Sequence, residues 1–181
     1  MNHFQLSTKQ KHGSPVFALL LIYFFSIQFL FSAEHINLKG LWQFQIDSTN
    51  VGISEQWFSK ELSKEIKLPG TMDDAGFGIP NTLESRLEKP QLLRLTRKNN
   101  YVGPAWYSKQ ISIPKNWKNK QITLKLERVI WETSVWINGI QARGIQESLS
   151  TPHYFDLTGL LMSGENKLTI RVEYRKKYYI S

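Results

Sequence analysis

Two adjacent carboxylates, Asp73 and Asp74, lie in a glycine-rich stretch, residues 68–80, that shows no strand-like alternation. Carboxylates in such a loop have the chemistry to bind a sugar hydroxyl or a cation. The competing interpretation is turn chemistry, because Asp side chains also cap the backbone amides of their own turns. Neighbours in an extended backbone point in opposite directions, which suits the pair poorly to acid/base work on one bond. We therefore predict a binding role, not a catalytic one, for this pair.

A second group of candidate binding residues precedes Tyr101, in the charged segment 81–100. Its members are hydrogen-bond donors: Arg94, Arg97, Asn99 and Asn100. Such groups bind sugar hydroxyls or a carboxylate, each contact contributing about 1 kcal/mol net and more if charged. Long loops on a rigid scaffold often carry binding residues, although a solvated basic loop has the same composition. Together with the Asp pair, these four residues form the predicted substrate site.

The sequence carries no recognisable catalytic machinery. It has no Gly-x-Ser-x-Gly nucleophile elbow and no phosphate-binding glycine loop before a helix. Cysteine is absent, which excludes disulfides, zinc–thiolate sites and a cysteine nucleophile. His153 has no His partner at metal-ligand spacing, and we predict that it enters a strand with its ring hydrogen-bonded to the backbone. We expect no catalytic residue, no metal and no cofactor.

Short strands are predicted to position these loops. Apolar and polar residues alternate at residues 42–47, 122–127 and 168–174, which is typical of half-buried strands. Residues 105–113 and 133–137 are two further candidates. The second of these runs into Asn138-Gly139, a hairpin signal that places the return strand at 141–143. Predicted helical content is one short helix at 54–60, with Ser54 as N-cap, and one turn capped by Asp156.

Many short strands without a βαβ rhythm predict an all-β fold, a jelly-roll β-sandwich of two antiparallel sheets. The hydrophobic fraction of 41% is enough for the core of one domain. Trp42 and Trp106 are predicted to fill that core. Trp131 and Trp136 are left open, because the face that Trp136 shares with Glu132 has the composition of a sheet surface that meets another domain.

Residues 1–33 are predicted to be a signal peptide, since basic residues precede an apolar run at 16–31 that ends in Ser32 and Ala33. An uncleaved anchor is the alternative. In either case the remainder leaves the cytoplasm, so we predict a secreted or periplasmic protein with no membrane contact beyond this segment. The net charge is +8, but the basic residues are dispersed and no nucleic-acid-binding pattern occurs. We expect no nucleic-acid partner.

Six stretches occur in one order along the chain: LKGLWQFQID (38–47), LPGTMDDAGFG (68–78), YVGPAWYSKQISIP (101–114), LERVIWETSVWING (126–139), SLSTPHYFDLTGL (148–160) and GENKLTIRV (164–172). Together they resemble the N-terminal sugar-binding domain of glycoside hydrolase family 2, which includes β-galactosidases, β-glucuronidases and β-mannosidases. The resemblance covers nearly all of residues 34–181. It implies a galactose-binding-like jelly roll that packs beside an immunoglobulin-like domain and a TIM barrel.

The resemblance also implies where the chemistry lies. In that family two barrel glutamates perform retaining hydrolysis, and neither glutamate motif is present here. The family's first domain continues into a Trp-Asn-Gly segment and a closing strand, so we expect a truncated domain whose partners are a carbohydrate and the missing C-terminal domains. The loop before Tyr101 would approach the barrel's active-site mouth. In that family the barrel loops set the sugar specificity, so this sequence does not identify which sugar is bound.

The expected function is that of a non-catalytic domain of a secreted family 2 hydrolase, with glycoside hydrolysis confined to the full-length parent. A free-standing lectin-like module is the alternative, and an adhesion sandwich is a third possibility. The missing closing strand argues against an isolated module, because it leaves an open sheet edge prone to aggregation.

Overall fold

The alternating segments of the sequence form antiparallel strands in a computed structural model that describes residues 34–82 and 97–175. The predicted signal peptide and Arg94 therefore lie outside the described residues. The chain divides into two units, Met1–Asn37 and Leu38–Ser181. Residues 34–37 of the first unit form neither helix nor strand, and every described strand belongs to the second unit.

Eleven strands are present among the described residues: β1 (Gly40–Ile46), β2 (Lys64–Leu68), β3 (Ile79–Pro80), β4 (Asn99–Asn100), β5 (Pro104–Ile113), β6 (Thr123–Leu126), β7 (Trp131–Ile137), β8 (Ile140–Gln141), β9 (Gln146–Ser148), β10 (His153–Asp156) and β11 (Gly164–Glu173). The helices described are two short 3-10 turns, Trp57–Ser59 and Lys115–Trp117. Within the described ranges, no helix is long and apolar enough to cross a bilayer.

The strands form one large sheet and two small ones. The large sheet has the order β2-β1-β5-β11-β7-β8, with β9 also pairing with β7, and every pairing is antiparallel. Strands β6 and β10 form a second sheet, and β3 and β4 form a third. The long strands β5 and β11 pair over ten residues at the centre.

The inner face of the large sheet packs against β6 and β10. Phe44, Ile137 and Leu168 from the large sheet are fully buried there, in one cluster with Leu124 of β6 and Phe155 of β10. Apolar residues on alternate positions of each strand build this cluster because successive side chains of a strand point to opposite faces. The prediction of an all-β sandwich is confirmed.

Part of the outer face of the same sheet is also covered, by the segment between β1 and β2. Trp106 and Trp136 lie beneath Phe58, whose ring stacks on Trp136 with centroids 5.4 Å apart. Trp136 is only 4% exposed, so the interpretation of its face as a surface for another domain is wrong. The covering segment belongs to this chain.

The covering segment does not form the predicted helix at 54–60. Ser54 donates its hydroxyl to the Val51 carbonyl at 2.8 Å instead of capping a helix. Gln56 adopts a left-handed conformation (φ 57°), which limits helix to Trp57–Ser59. Gly52 has no room for a side chain, because a Cβ there would lie 2.3 Å from Nε1 of Trp106. Close packing on the sheet thus overrides local helix preference.

Two other local predictions fare differently. The return strand of the Asn138-Gly139 hairpin is Ile140–Gln141, one residue earlier and shorter than predicted. Asp156 caps its turn as predicted, with Oδ1 accepting from the Thr158 amide at 2.9 Å. Hydrogen bonds from the Thr158 side chain and amide lower the pKa of the Asp156 carboxyl.

Candidate functional site

The two segments predicted as loops, residues 68–80 and 81–100, pair with each other. Ile79 lies opposite Asn100 and Pro80 opposite Asn99, forming the small β3–β4 sheet. Two-residue strands are too short to show alternation, so the sequence pattern could not reveal them. Their pairing brings residues 69–78 together with the predicted binding residues that precede Tyr101.

Asp73 fixes this arrangement through its carboxylate. Oδ1 accepts a hydrogen bond from the Asn99 amide at 2.6 Å, and Oδ2 accepts one from the Lys98 amide at 3.3 Å. The Asn99 side chain returns a bond to the Asp73 carbonyl at 3.2 Å. Charged acceptors make strong hydrogen bonds with backbone amides. Asp73 therefore positions β4, with its carboxylate already occupied within the protein.

Asp74 follows the turn interpretation instead. Its Oδ2 accepts from the Thr71 hydroxyl at 2.7 Å, and the Thr71 oxygen accepts from the Asp74 amide at 3.0 Å. The two adjacent carboxylates thus serve different purposes, as expected for neighbours that point apart. Asp74 stabilises its own turn on the surface.

Asn81 binds the two residues that precede β4. Its backbone amide donates to the Lys98 carbonyl at 2.7 Å, and its side chain donates to the Arg97 carbonyl at 3.1 Å. The guanidinium of Arg97 lies 5.7 Å from the ring centroid of Tyr174, within cation–π range. The Arg97 backbone is thus fixed while its side chain remains at the surface.

Asn100 is the remaining described candidate. It is exposed, and its side chain makes no hydrogen bond with another residue in the described ranges. Its backbone lies against Gly78, where an added Cβ would be 2.9 Å from the Asn100 oxygen. Gly78 also has φ 127°, a conformation that L side chains rarely adopt. A glycine is required here for β3 and β4 to approach.

Tyr101 joins the site to the large sheet. Its hydroxyl donates to the Pro104 carbonyl at 2.8 Å, and its ring fills the space where Gly103 lacks a side chain. Burial, followed by the negative charges of Asp47 and Glu173, raises the pKa of Tyr101 to about 12. The phenol is therefore a neutral structural group at physiological pH.

A buried ionic cluster lies on the outer face of the large sheet, although the alternation at residues 168–174 predicts a half-buried strand whose polar face is exposed. Arg171 is 6% exposed and Glu173 is 2% exposed. Arg171 Nη2 donates to Glu173 Oε2 at 2.8 Å and to Asn50 Oδ1 at 3.0 Å. Arg175 binds both Glu173 oxygens at 2.8 Å. Burial acts against ionisation of Glu173, but the hydrogen bonds from Arg175 and the charge of Arg171 outweigh it and lower its pKa.

Asp47 anchors the covering segment beside this cluster. Its carboxylate accepts from the Val51 amide at 2.8 Å, the Gly52 amide at 3.0 Å and Trp106 Nε1 at 3.0 Å. In the sequence, Asp47 is the last polar position of the alternating segment 42–47, and the pattern gave no signal for its anchoring role. Since Asp47 is 1% exposed, it serves the fold and not a ligand.

The described candidates fall into two classes by geometry. Asp73 and Asn99 are bound to each other, and Asp74 to its own turn, whereas Arg97 and Asn100 present polar groups to solvent. Among residues 34–82 and 97–175, no three His, Asp or Glu side chains are grouped to hold a metal ion. The arrangement can offer a guanidinium and a carboxamide to a hydroxyl-rich or carboxylate ligand.

Comparisons with known proteins agree with this architecture. The family model described as "Glycosyl hydrolases family 2, sugar binding domain" matches residues 36–180. A β-galactosidase of Priestia megaterium (strain DSM 319 / IMG 1521) is 26% identical over 148 residues, covering 78% of this chain and 14% of that protein. A β-glucuronidase of Canis lupus familiaris is 24% identical over 144 residues, covering 74% and 19%.

The solved structure of a β-glucuronidase from Ruminococcus gnavus in complex with D-glucaro 1,5-lactone superimposes with a TM-score of 0.63 at 19% identity. The match covers 82% of this chain and 23% of that one. It shows a shared fold. This chain thus spans less than a quarter of the length of these relatives.

Proposed function

The chain belongs to the sugar-binding domains of glycosyl hydrolase family 2, and from this membership we propose that it is the non-catalytic N-terminal domain of a longer, secreted glycoside hydrolase. In that parent it would act in carbohydrate degradation, and the two glutamates that the family resemblance implies would come from other domains. Arg97 and Asn100, with the undescribed Arg94, would reach toward the substrate.

One observation carries the binding role proposed for this loop: the β3–β4 unit is held by hydrogen bonds from neighbouring residues, yet it leaves two polar side chains exposed. Asp73 and Asn81 both bind the backbone of residues 97–99. Bracing of this kind lowers the entropy lost when a ligand is bound.

Titration of the full chain with methyl β-D-glucuronide and methyl β-D-galactopyranoside tests the site. The backbone amides of Asn99 and Asn100 are the reporters in nitrogen–proton correlation spectra. Asn100→Ala should weaken binding of either sugar by about five- to tenfold, and Arg97→Ala should weaken glucuronide binding further because its partner is charged. Lys98→Ala, an exposed basic neighbour, is the matched control. Equal affinities of Arg97→Ala, Asn100→Ala and the unaltered chain would contradict the assignment.

The proposed parent enzyme and its secretion have separate tests. The genomic DNA beyond the codon for Ser181 is expected to encode a Trp-Asn-Gly segment and later an Asn-Glu pair, in frame or after a shift. Unrelated sequence there would overturn the proposal that this chain is part of a longer enzyme. N-terminal sequencing of the exported protein is expected to begin near Glu34, and a retained Met1 in the cytoplasm would contradict secretion.

A further inference from the structure

Strands β1 and β5 separate at one end of the large sheet. Their ladder runs from the Ile46–Ala105 pair to the Gln43–Ser108 pair and stops there, although β1 continues to Gly40 and β5 to Ile113. The Lys109 ammonium enters the gap and donates to the Leu41 carbonyl at 2.7 Å. A side chain thus replaces the missing strand-to-strand hydrogen bond.

The gap opens into a groove of about 260 Å³ on the outer face. Besides Lys109, the groove is lined by Leu41, Gln43, Glu61, Glu65 and Gln110, and the edge of Trp42 contributes to its wall. Its polar groups are mainly planar carboxylates and carboxamides. Such groups hydrogen-bond well with adjacent hydroxyls.

Glu61 is held in an ionised state at this groove. It accepts a hydrogen bond from the Gln43 side chain and lies 3.3 Å from the Lys167 ammonium. The Gln43 bond first, and then the Lys167 charge, lower the pKa of the Glu61 carboxyl. By contrast, Glu65 and Gln110 are exposed, and their side chains make no hydrogen bond with another described residue. Their polar ends are free to meet a ligand.

Leu41 supplies an apolar surface beside these groups, since it is 54% exposed despite its place in a central strand. We propose that this groove binds one neutral sugar ring, with Glu65 and Gln110 bonding to its hydroxyls and Leu41 covering its C–H face. The volume lies just below the ~300 Å³ lower bound for drug-sized ligands, which suits a single ring. Glu61 and Glu65 are balanced by the ammonium groups of Lys109 and Lys167, so the groove carries no net positive charge to favour an acidic sugar.

This groove goes beyond the proposed function because it is a second surface on the other side of the sheet. Met72 and Phe77, which belong to the loop that bears Asp73, pack on the inner core. The groove residues Gln43 and Gln110 belong to the outer face, which Trp106 shares. Binding at either site can therefore be followed through backbone amide signals that belong to that site alone.

The test is a titration of the full chain with methyl β-D-galactopyranoside and methyl β-D-glucopyranoside, and with methyl β-D-glucuronide as the acidic probe. The backbone amides of Ser108 and Gln110 report on the groove. A neutral glycoside should shift these signals at lower concentration than the glucuronide. Glu65→Ala and Gln110→Ala should each weaken the effect about five- to tenfold.

Glu147→Ala, an exposed carboxylate on strand β9, is the matched control and should leave binding unchanged. Groove signals that stay fixed up to the solubility limit of both neutral probes would overturn the groove. So would variant affinities equal to that of the unaltered chain, or tighter binding of the glucuronide. Shifts confined to Asn99 and Asn100 would reject the groove while supporting the loop site. Shifts confined to the groove residues would support the groove and reject the loop site.

Discussion

The two faces of the large sheet are buried by different means. On the inner face, apolar residues such as Leu168 and Ile170 of β11 meet a second sheet. On the outer face, the alternate residues Arg171 and Glu173 of the same strand are similarly inaccessible, but they bind polar partners: Arg171 contacts Asn50 of the segment between β1 and β2, and Glu173 is bound by Arg171 and Arg175. Alternation along a strand thus identifies which residues share a face, but it does not reveal whether that face is exposed to solvent.

The contrast has an energetic consequence. Apolar burial is non-directional and tolerates exchange among side chains of similar volume. A buried ion pair is sensitive to loss of one member, because the remaining charge is left without a partner in a poorly solvated site. The outer face should therefore be the more fragile to single substitutions and the more tolerant of paired ones.

The largest expected effect comes from breaking the ionic cluster at its shared acceptor. Glu173→Ala leaves Arg171 buried without its nearest carboxylate and should lower the free energy of unfolding by about 3–5 kcal/mol. Urea denaturation of the full chain measures the loss. Glu165→Ala, an exposed position on the same strand, is the control. The double variant Arg171→Met, Glu173→Leu should lose less than Glu173→Ala, and a larger loss would contradict the argument.

The inner face provides the matched apolar test. Leu168→Ala removes a side chain of 0% exposure and should lower the unfolding free energy by about 3 kcal/mol through lost burial and a residual cavity. Leu168→Met should cost less than about 1.5 kcal/mol. Chemical denaturation with both variants checks this, and equal losses would show that volume is not what the inner face requires.

A third substitution tests how the covering segment is attached. Asp47→Ala removes the acceptor of three N–H groups, one of them on Trp106, and should cost about 2 kcal/mol. Because Trp106 lies under that segment, its fluorescence should shift to longer wavelength before global unfolding in urea. Coincident fluorescence and circular dichroism transitions would indicate that the segment is held by packing alone. Asp156→Ala, a turn carboxylate on the surface, is the control.

The smallest expected effect is a pH dependence of the stability, which arises from His153 at the edge of the inner core. His153 begins β10 as predicted, and its Nδ1 hydrogen-bonds to the Thr133 hydroxyl. The other ring nitrogen is buried, with no partner in the described part of the chain. Burial lowers the pKa of His153, although the Ser148 backbone opposes this.

The sign of the pH dependence is set by that direction. Since the folded protein favours the neutral ring, the contribution of His153 is complete above its unfolded pKa of about 6.5 and is lost as pH falls toward the folded value. Thermal unfolding between pH 8 and pH 5 (roughly the range where an unperturbed His titrates) should show this slope. His153→Gln should flatten it. A slope that persists in the variant would assign the effect to other groups.

The sequence by itself determined most of the strands and the family. Alternation located β1, β6 and β11 to within a few residues, because a half-buried strand needs one apolar face. The two further candidate strands, residues 105–113 and 133–137, correspond to β5 and β7. The Asn138-Gly139 signal placed its hairpin for the local reason that both residues tolerate positive φ. The short β2 and β9 were missed, since three to five residues carry too little pattern.

Only the tertiary structure decided which polar side chains are hydrogen-bonded within the fold and which remain exposed for a ligand. Asp73 meets Asn99 across 26 positions, and Asn50 meets Arg171 across 121. Such contacts depend on which segments the topology brings together, and local sequence preferences do not predict them. The chain's pattern named Asp73, Asp74, Arg97, Asn99 and Asn100 alike, but pairing of β3 with β4 separated the bracing residues from the exposed ones.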